Sequence, residues 1–430
     1  MALTCSILAL LIGCEHAPGW LDTSSWFGKS NVDQNAAYAH PGFGKGPLAP
    51  PQPAPVSAVQ ATPLPVPQST VNHAAPAVAA TTPAVPAPAS AAKTKVAILL
   101  PLTGKSAALG QAMLNAAQQA VFDSADTRFE LMPRDTGTTD AGAEAAARDA
   151  IASGAQLLIG PLFGANVPAV HAIAQTSGIN MLTLSTDTSL AAPGVYVMGF
   201  APGAQVERVV TFAISHGLRH FAALLPKNAY GTLVGAAFQE AVTSHGGVLV
   251  SIEAYDPTKH DSAGPIQRLA SKRDQIDALF LPEGGSDLSQ IAGQLVSTGF
   301  DNHRIRLIGT GLWDVPDLAR QSNFLISGWY AASDPSARRN FISGYNATYS
   351  GEPPRLATLA YDATAMAAVL SKRGAPFDTA ELTNPNGFAG LDGIFRLTPQ
   401  GLVERGLAIN EVTPEGAHVV DAAPTTFAGN

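Results

Sequence analysis

Three groupings in this chain carry residue types that do chemistry. Gly104-Lys105-Ser106 follows an apolar run, as the end of a phosphate-cradling loop would. That pattern requires a glycine where Leu99 stands, inside the run itself, so nucleotide binding is not expected. Asp135, Asp140, Glu144 and Arg148 bring carboxylates and a guanidinium together. Glu144 and Arg148 lie i, i+4 on an Ala-rich stretch, the spacing of a solvated helix face. The 10 histidines are scattered, none in His-Glu-x-x-His spacing, and no Gly-x-Ser-x-Gly elbow occurs. The expectation is a protein without catalysis, cofactor or metal.

The elements that must position any site read as alternating strands and helices. Lys95 to Leu100 is a continuous apolar run of strand length, suited to a strand buried on both faces. A helix is expected over Leu109 to Phe122, and the unit recurs with Gln156–Ile159 followed by Val167, Val170, Ile173 and Ala174. Asn180–Leu184 is a further strand. Val206, Val209, Val210, Ala213 and Ile214 share one face of a helix. His220–Leu225, Val248–Ile252, Ala278–Leu281 and Ile305–Ile308 continue the alternation, with Val234, Phe238, Ala241 and Val242 on a helix between them. Strands separated by helices of this length imply parallel sheets. About 338 residues from Lys93 onward exceed one doubly wound sheet, so an α/β fold of two Rossmann-like lobes is expected.

In such sheets ligands bind beyond the carboxyl ends of the strands. That rule selects six loops: Thr103–Ser106, Phe163–Asn166, Ser185–Asp187, Asn228–Tyr230, Glu283–Ser286 and Gly311–Trp313. The candidate ligand-binding residues are Thr103, Gly104, Gly164, Asn166, Ser185, Thr186, Tyr230 and Glu283. Glu283 or Asp187 would face a ligand ammonium. Each residue also has an ordinary loop reading, as cap, turn or hinge packing.

Lys95-Val96-Ala97-Ile98-Leu99-Leu100-Pro101-Leu102-Thr103-Gly104, Leu158-Ile159-Gly160-Pro161-Leu162 and Ala229-Tyr230-Gly231 together resemble the leucine/isoleucine/valine-type (type I) periplasmic binding proteins. Leu359–Ala363 and Gly387–Leu397 fit the same pattern, and within that family the chain looks most like the penicillin-binding protein activator lipoproteins. The resemblance spans roughly residues 93 to 415 and implies two lobes joined by three crossings, with a cleft between them. It places lobe 1 at about 93–202 and 328–376, lobe 2 at about 203–327 and 377–415, and a tail at 416–430. It also makes Tyr230 an aromatic lid over a ligand. Amino-acid-binding relatives carry a hydroxyl-rich loop after the second strand of this pattern. Here Gly160–Asn166 has no hydroxyl, which takes away donors that a buried carboxylate needs.

The amino-terminal part reads differently. Leu11-Ile12-Gly13-Cys14 resembles a bacterial lipoprotein processing site: residues 1–13 as signal peptide, Cys14 lipidated, and residues 14–46 following the anchor. Residues 1–14 contain no Lys or Arg, so the true translation start is expected upstream. Cys5 and Cys14 are the only cysteines, leaving the processed chain no disulfide. No later apolar stretch is long enough to span a bilayer. Pro47 to Pro88 holds 12 prolines in 42 residues, and no charged residue lies between Lys45 and Lys93. Residues 47–92 therefore read as a disordered Pro/Ala-rich linker, spanning roughly 130 Å if wholly polyproline II. A net charge of −8 gives no argument for nucleic acid.

The resemblance implies a periplasmic lipoprotein that activates a peptidoglycan synthase of the penicillin-binding protein class. Glu15 after the lipidated residue, unlike the usual inner-membrane retention signal, points to the outer rather than the inner membrane. The alternative is a substrate-binding protein feeding an ABC transporter for amino acids or another small ligand in the cleft. Replacing Cys14 with serine should abolish labelled-palmitate incorporation and move the protein from the membrane to the soluble fraction; palmitate retained in Cys14→Ser would contradict the assigned anchor.

Overall fold

The computed structural model describes residues 93–427 apart from residues 260 and 350. Cys14, the signal segment and the proline-rich stretch lie outside the described residues. Among the described residues no helix is long and apolar enough to cross a membrane.

The first lobe runs β1 (Thr94–Leu100), α1 (Ala107–Ser124), β2 (Phe129–Asp135), α2 (Asp140–Ala152), β3 (Leu157–Ile159), α3 (Val167–Thr176), β4 (Met181–Thr183) and β5 (Val195–Val197). Its five strands pair in parallel in the order β2-β1-β3-β4-β5. β1 lies inside the sheet with helices on both faces, which is why Val96 to Leu100 can all be apolar and fully buried. β2 was not legible as a strand because Pro133 interrupts it. It forms at the sheet edge, where a missing N–H costs no ladder bond on the open side.

The second lobe runs α4 (Pro202–Ser215), β6 (His220–Pro226), α5 (Ala229–Ser244), β7 (Val248–Tyr255), α6 (Ala263–Ala270), β8 (Ala278–Phe280), α7 (Gly285–Ser297), β9 (Arg306–Gly309), α8 (Leu318–Gln321) and β10 (Trp329–Ala332). The chain then returns to the first lobe through α9 (Arg339–Tyr349), α10 (Ala357–Arg373), α11 (Thr379–Leu382), β11 (Phe388–Gly390), β12 (Gly393–Leu397) and β13 (Val403–Arg405). It crosses back for β14 (Ala408–Thr413) and β15 (Gly416–Asp421). The seven-stranded second sheet has the order β15-β14-β10-β9-β8-β6-β7. It is parallel except at β10–β14 and β14–β15.

The two-lobed α/β architecture matches the expectation, but the lobe limits differ in three places. Residues 329–332 belong to the second sheet, because β10 pairs with both β9 and β14. Residues 377–405 belong to the first lobe: Phe377, Leu382, Phe388, Phe395, Leu397 and Val403 bury in one core with Val96, Ile98 and Met366. Residues 416–421 are strand β15 rather than tail, and Phe427 beyond it lies 4.6 Å under the Arg396 guanidinium.

Each lobe repeats one packing device. Gly110 in the first turn of α1 and Gly231 in the first turn of α5 lie against the strand exits they follow. A Cβ would stand 2.0 Å from the Pro101 carbonyl oxygen in one case and 1.8 Å from that of Pro226 in the other. Neither backbone oxygen can retreat without dragging a strand end, so glycine is required there. Gly231→Ala should lower unfolding free energy by about 3 kcal/mol through overpacking, read as a lower urea midpoint at unchanged slope; an unaltered midpoint would show that the strand exit yields.

Candidate functional site

The six loops selected from the sequence all lie at carboxyl ends of strands, following β1, β3, β4, β6, β8 and β9. Within them most candidate side chains already have partners from their own lobe. Asp135 accepts from the Leu102, Thr103 and Gly137 N–H groups and, at 2.7 Å, from the Thr103 hydroxyl. These bonds outweigh the effect of burial and hold its carboxyl below the usual range. Thr103 therefore closes the first loop onto β2, with Gly104 in the left-handed region at φ 79°.

Asn166 is buried and donates its Nδ2 to the Thr139 carbonyl at 2.9 Å. Gly164 packs on Ser185, where a Cβ would stand 3.0 Å from Oγ, so the loops after β3 and β4 meet there. The Ser185 Oγ accepts from the Asp187 N–H, and Asp187 caps the next turn through the Ser189 N–H. Thr186 is half-buried beside them.

In the second lobe the Tyr230 hydroxyl lies 2.9 Å from Thr310 Oγ1, and burial pushes its phenol well up. Glu283 accepts from the Tyr255 hydroxyl and from the Gly284 N–H, and its backbone carbonyl accepts from the Trp313 indole N–H at 3.1 Å. Burial raises the Glu283 carboxyl above the ordinary glutamate value, partly opposed by those hydrogen bonds. Glu283, Tyr255, Tyr230 and Thr310 thus form a polar group at the ends of four strands, internally bonded as two pairs.

A second constellation, absent from the expectations, sits where the chain passes between lobes. The three crossings are residues 198–201, 333–338 and 406–407. Arg338 places a fork on Asp314, Nη1 at 2.8 Å and Nη2 at 3.1 Å. Arg355 reaches the same carboxylate with Nε at 3.1 Å and Asp392 with Nη2 at 2.8 Å and Nη1 at 3.0 Å. The Ser333 hydroxyl donates to Asp392 at 3.0 Å and accepts from Arg338 at 2.6 Å. Arg405 donates to the Met198 carbonyl at 2.9 Å and lies 3.4 Å from Asp362.

Phe200 is stacked under both Arg355, at 4.2 Å, and Arg405, at 5.3 Å. Asp362 and Asp392 are 0 % and 1 % exposed, so the carboxylates at the centre of the cluster are buried, while Arg355 keeps an edge to solvent. Burial alone would raise the Asp392 carboxyl, but Arg355, Arg338 and Arg405 hold it far below the usual range. Asp362 goes the other way: burial and the neighbouring Asp392 charge push it up more than Arg405 brings it down.

The described residues contain no group of His, Cys, Asp and Glu arranged to hold a metal.

A sequence model of the periplasmic binding proteins matches residues 93–405. The chain belongs to the periplasmic binding protein family. Among solved structures it is similar to a putative branched-chain amino acid ABC transporter protein from Rhodospirillum rubrum. That match has a TM-score of 0.69 at 19 % identity, over 76 % of this chain and 100 % of that one, and shows a shared type I fold. Curated relatives include an uncharacterized protein of Rickettsia prowazekii, 22 % identical over 51 % of this chain and 61 % of its own length. The penicillin-binding protein activator LpoA of Glaesserella parasuis is 30 % identical over 34 % of this chain. The chain spans 61 % of the first relative and 24 % of the second.

Within this binding-protein body, Asp362 and Asp392 fall in the two late segments that carry the family resemblance, Leu359–Ala363 and Gly387–Leu397. A charge amid the apolar residues of α10 was the available signal for Asp362, because carboxylates are almost never fully buried unless partnered. Nothing local marks Asp314, Arg338 or Arg355.

The cluster makes stability respond to pH in a defined direction. The folded protein keeps the Asp362 proton to higher pH than the unfolded chain does. Unfolding free energy therefore falls as pH rises above the ordinary carboxylate range toward neutrality, by at most about 1.4 kcal/mol per pH unit for one proton. Asp392, held low, contributes stability above that range that is lost in acid. Asp362→Asn retains an acceptor for the Leu391 N–H, which lies 2.7 Å from Oδ1 in the parent. It should flatten the decline between pH 4 and 7 in urea titrations, and a variant as steep as the parent would mean that Asp362 is ionised throughout.

Proposed function

We propose that this chain is a periplasmic, lipid-anchored, non-enzymatic regulator whose two-lobed body binds and activates a peptidoglycan synthase of the penicillin-binding protein class. The observation that carries the reading is the state of the strand-end loops. The Thr103 hydroxyl is held by Asp135, Asn166 by Thr139, Tyr230 by Thr310 and Glu283 by Tyr255. The loop Gly160–Asn166 offers no hydroxyl to an incoming carboxylate. A receptor for a zwitterion must break such pairs and supply equivalent bonds in exchange. A surface that docks a macromolecule has no such requirement.

The similarity to LpoA proteins supports the choice of partner, and Cys14 with the Pro-rich segment supports an anchored body of long reach. Activation would follow from tighter binding to the synthase in its active conformation than in its resting one.

The reading of a transporter's substrate-binding protein has one specific observation in its favour. Glu283 is a carboxylate flanked by the phenol of Tyr255, at a strand end where a ligand ammonium could replace the phenol as partner. Thermal unfolding separates the two readings. A cleft ligand at 100 times its dissociation constant adds about 2.7 kcal/mol, a Tm rise readily seen. The regulator reading expects no such rise with amino acids, and co-purification of a penicillin-binding protein with the chain from detergent-solubilised envelopes. A clear amino-acid shift without a co-purifying synthase would reverse the choice.

A further inference from the structure

Asp314 is the one carboxylate of the hinge cluster that the second lobe contributes. It lies in the loop after β9, where the Trp313 indole, bonded to the Glu283 carbonyl, fixes the preceding residue. Its partners, Arg338 and Arg355, sit on the first-lobe side of the second crossing and at the start of α10. Both guanidinia are also tied to Asp392 in the turn between β11 and β12. Separating the lobes by rotation about the crossings would withdraw Asp314 from the Arg338 fork and the Arg355 Nε at once and leave those charges short of a partner.

We propose that Asp314, Arg338 and Arg355 form a latch that holds the two lobes at one opening, so that the body acts as a single rigid unit rather than as a clamshell.

Three further observations support the latch. Only 7 % of the Asp314 side chain and 10 % of that of Arg338 is exposed, so water cannot readily replace the lost partners. The Arg338 fork is geometrically bidentate, the arrangement that fixes orientation as well as distance. The other crossings are fastened to the same cluster, since Arg405 of β13 donates to Met198 and the Phe200 ring lies beneath Arg355 and Arg405. Arg338 remains charged: burial favours its neutral form, but Asp314 and Asp392 overcome this and push its pKa further up. The inference concerns the motion of the body and stands whichever partner or ligand it serves.

Pulsed electron-spin distance measurement tests it. Lys105 and Lys227 are exposed, one on a strand-end loop of each lobe. Lys105→Cys and Lys227→Cys in the Cys5→Ser, Cys14→Ser chain would carry the labels. The parent should give one narrow distance distribution. Asp314→Asn should broaden it or add a second, longer distance, while circular dichroism keeps a cooperative unfolding transition. Two populated distances in the parent would overturn the latch, as would a folded Asp314→Asn chain with an unaltered distribution. If Asp314→Asn does not fold, Arg338→Lys decides: it keeps the charge but loses the fork. A broadened distribution in that variant supports the latch, and an unchanged one overturns it.

Discussion

The arrangement of this molecule depends on neutralising six ionisable groups in a place that is largely buried. Three guanidinia, of Arg338, Arg355 and Arg405, meet three carboxylates, of Asp314, Asp362 and Asp392. Burying charge costs several kcal/mol per ion, and only near-complete pairing offsets it. That requirement brings the chain segments together. The first crossing supplies the Met198 carbonyl and the Phe200 ring, and the second supplies Ser333 and Arg338. Arg405 closes the third. The surrounding backbone is shaped to fit: a side chain at Gly390 would stand 2.6 Å from the Asp362 carboxylate, so the strand that covers it needs a residue with no Cβ.

The strand-end loops follow the same logic on a smaller scale. They place polar side chains where a ligand would meet them, and most of those side chains are satisfied from their own lobe. Asp135 gathers four donors and thereby fixes the loop after β1. The Trp313 indole ties the loop after β9 to the one after β8. The result is two rims whose geometry does not wait for a ligand. Under the proposed function that is an advantage, because preorganised surfaces lose less freedom on association.

The architecture was legible wherever burial imposed a pattern. Val96 to Leu100 had to be a two-face-buried strand. The stripes Val206–Ile214 and Val234–Val242 had to be helix faces, and all of these residues are in the core. Legibility failed where context overrides pattern. Pro133 hid an edge strand. β10 and β14 were missed because they pair with each other from distant parts of the sequence, so their lobe could not be read from local composition, and β15 follows β14 into the sheet as its hairpin partner. The strand-end loops were found by a topological rule, but the partners that occupy their side chains were not. The hinge cluster was invisible for the same reason: Asp314 and Arg338, or Arg355 and Asp392, look like surface charges until the fold brings them together. Only Asp362, an acid among the apolar residues of α10, carried a local signal, and it went unread.

The position of β1 has a mechanical corollary. Among the described residues the first strand opens at Thr94, whose N–H donates to the Arg128 carbonyl. β1 is laced to β2 along Thr94–Leu100 and to β3 along Val96–Ile98. A pull arriving from the amino-terminal side is directed along an interior strand. It therefore loads two parallel ladders in shear, all rungs together, instead of peeling them one at a time. Tension applied at that strand can be borne without the first lobe unravelling.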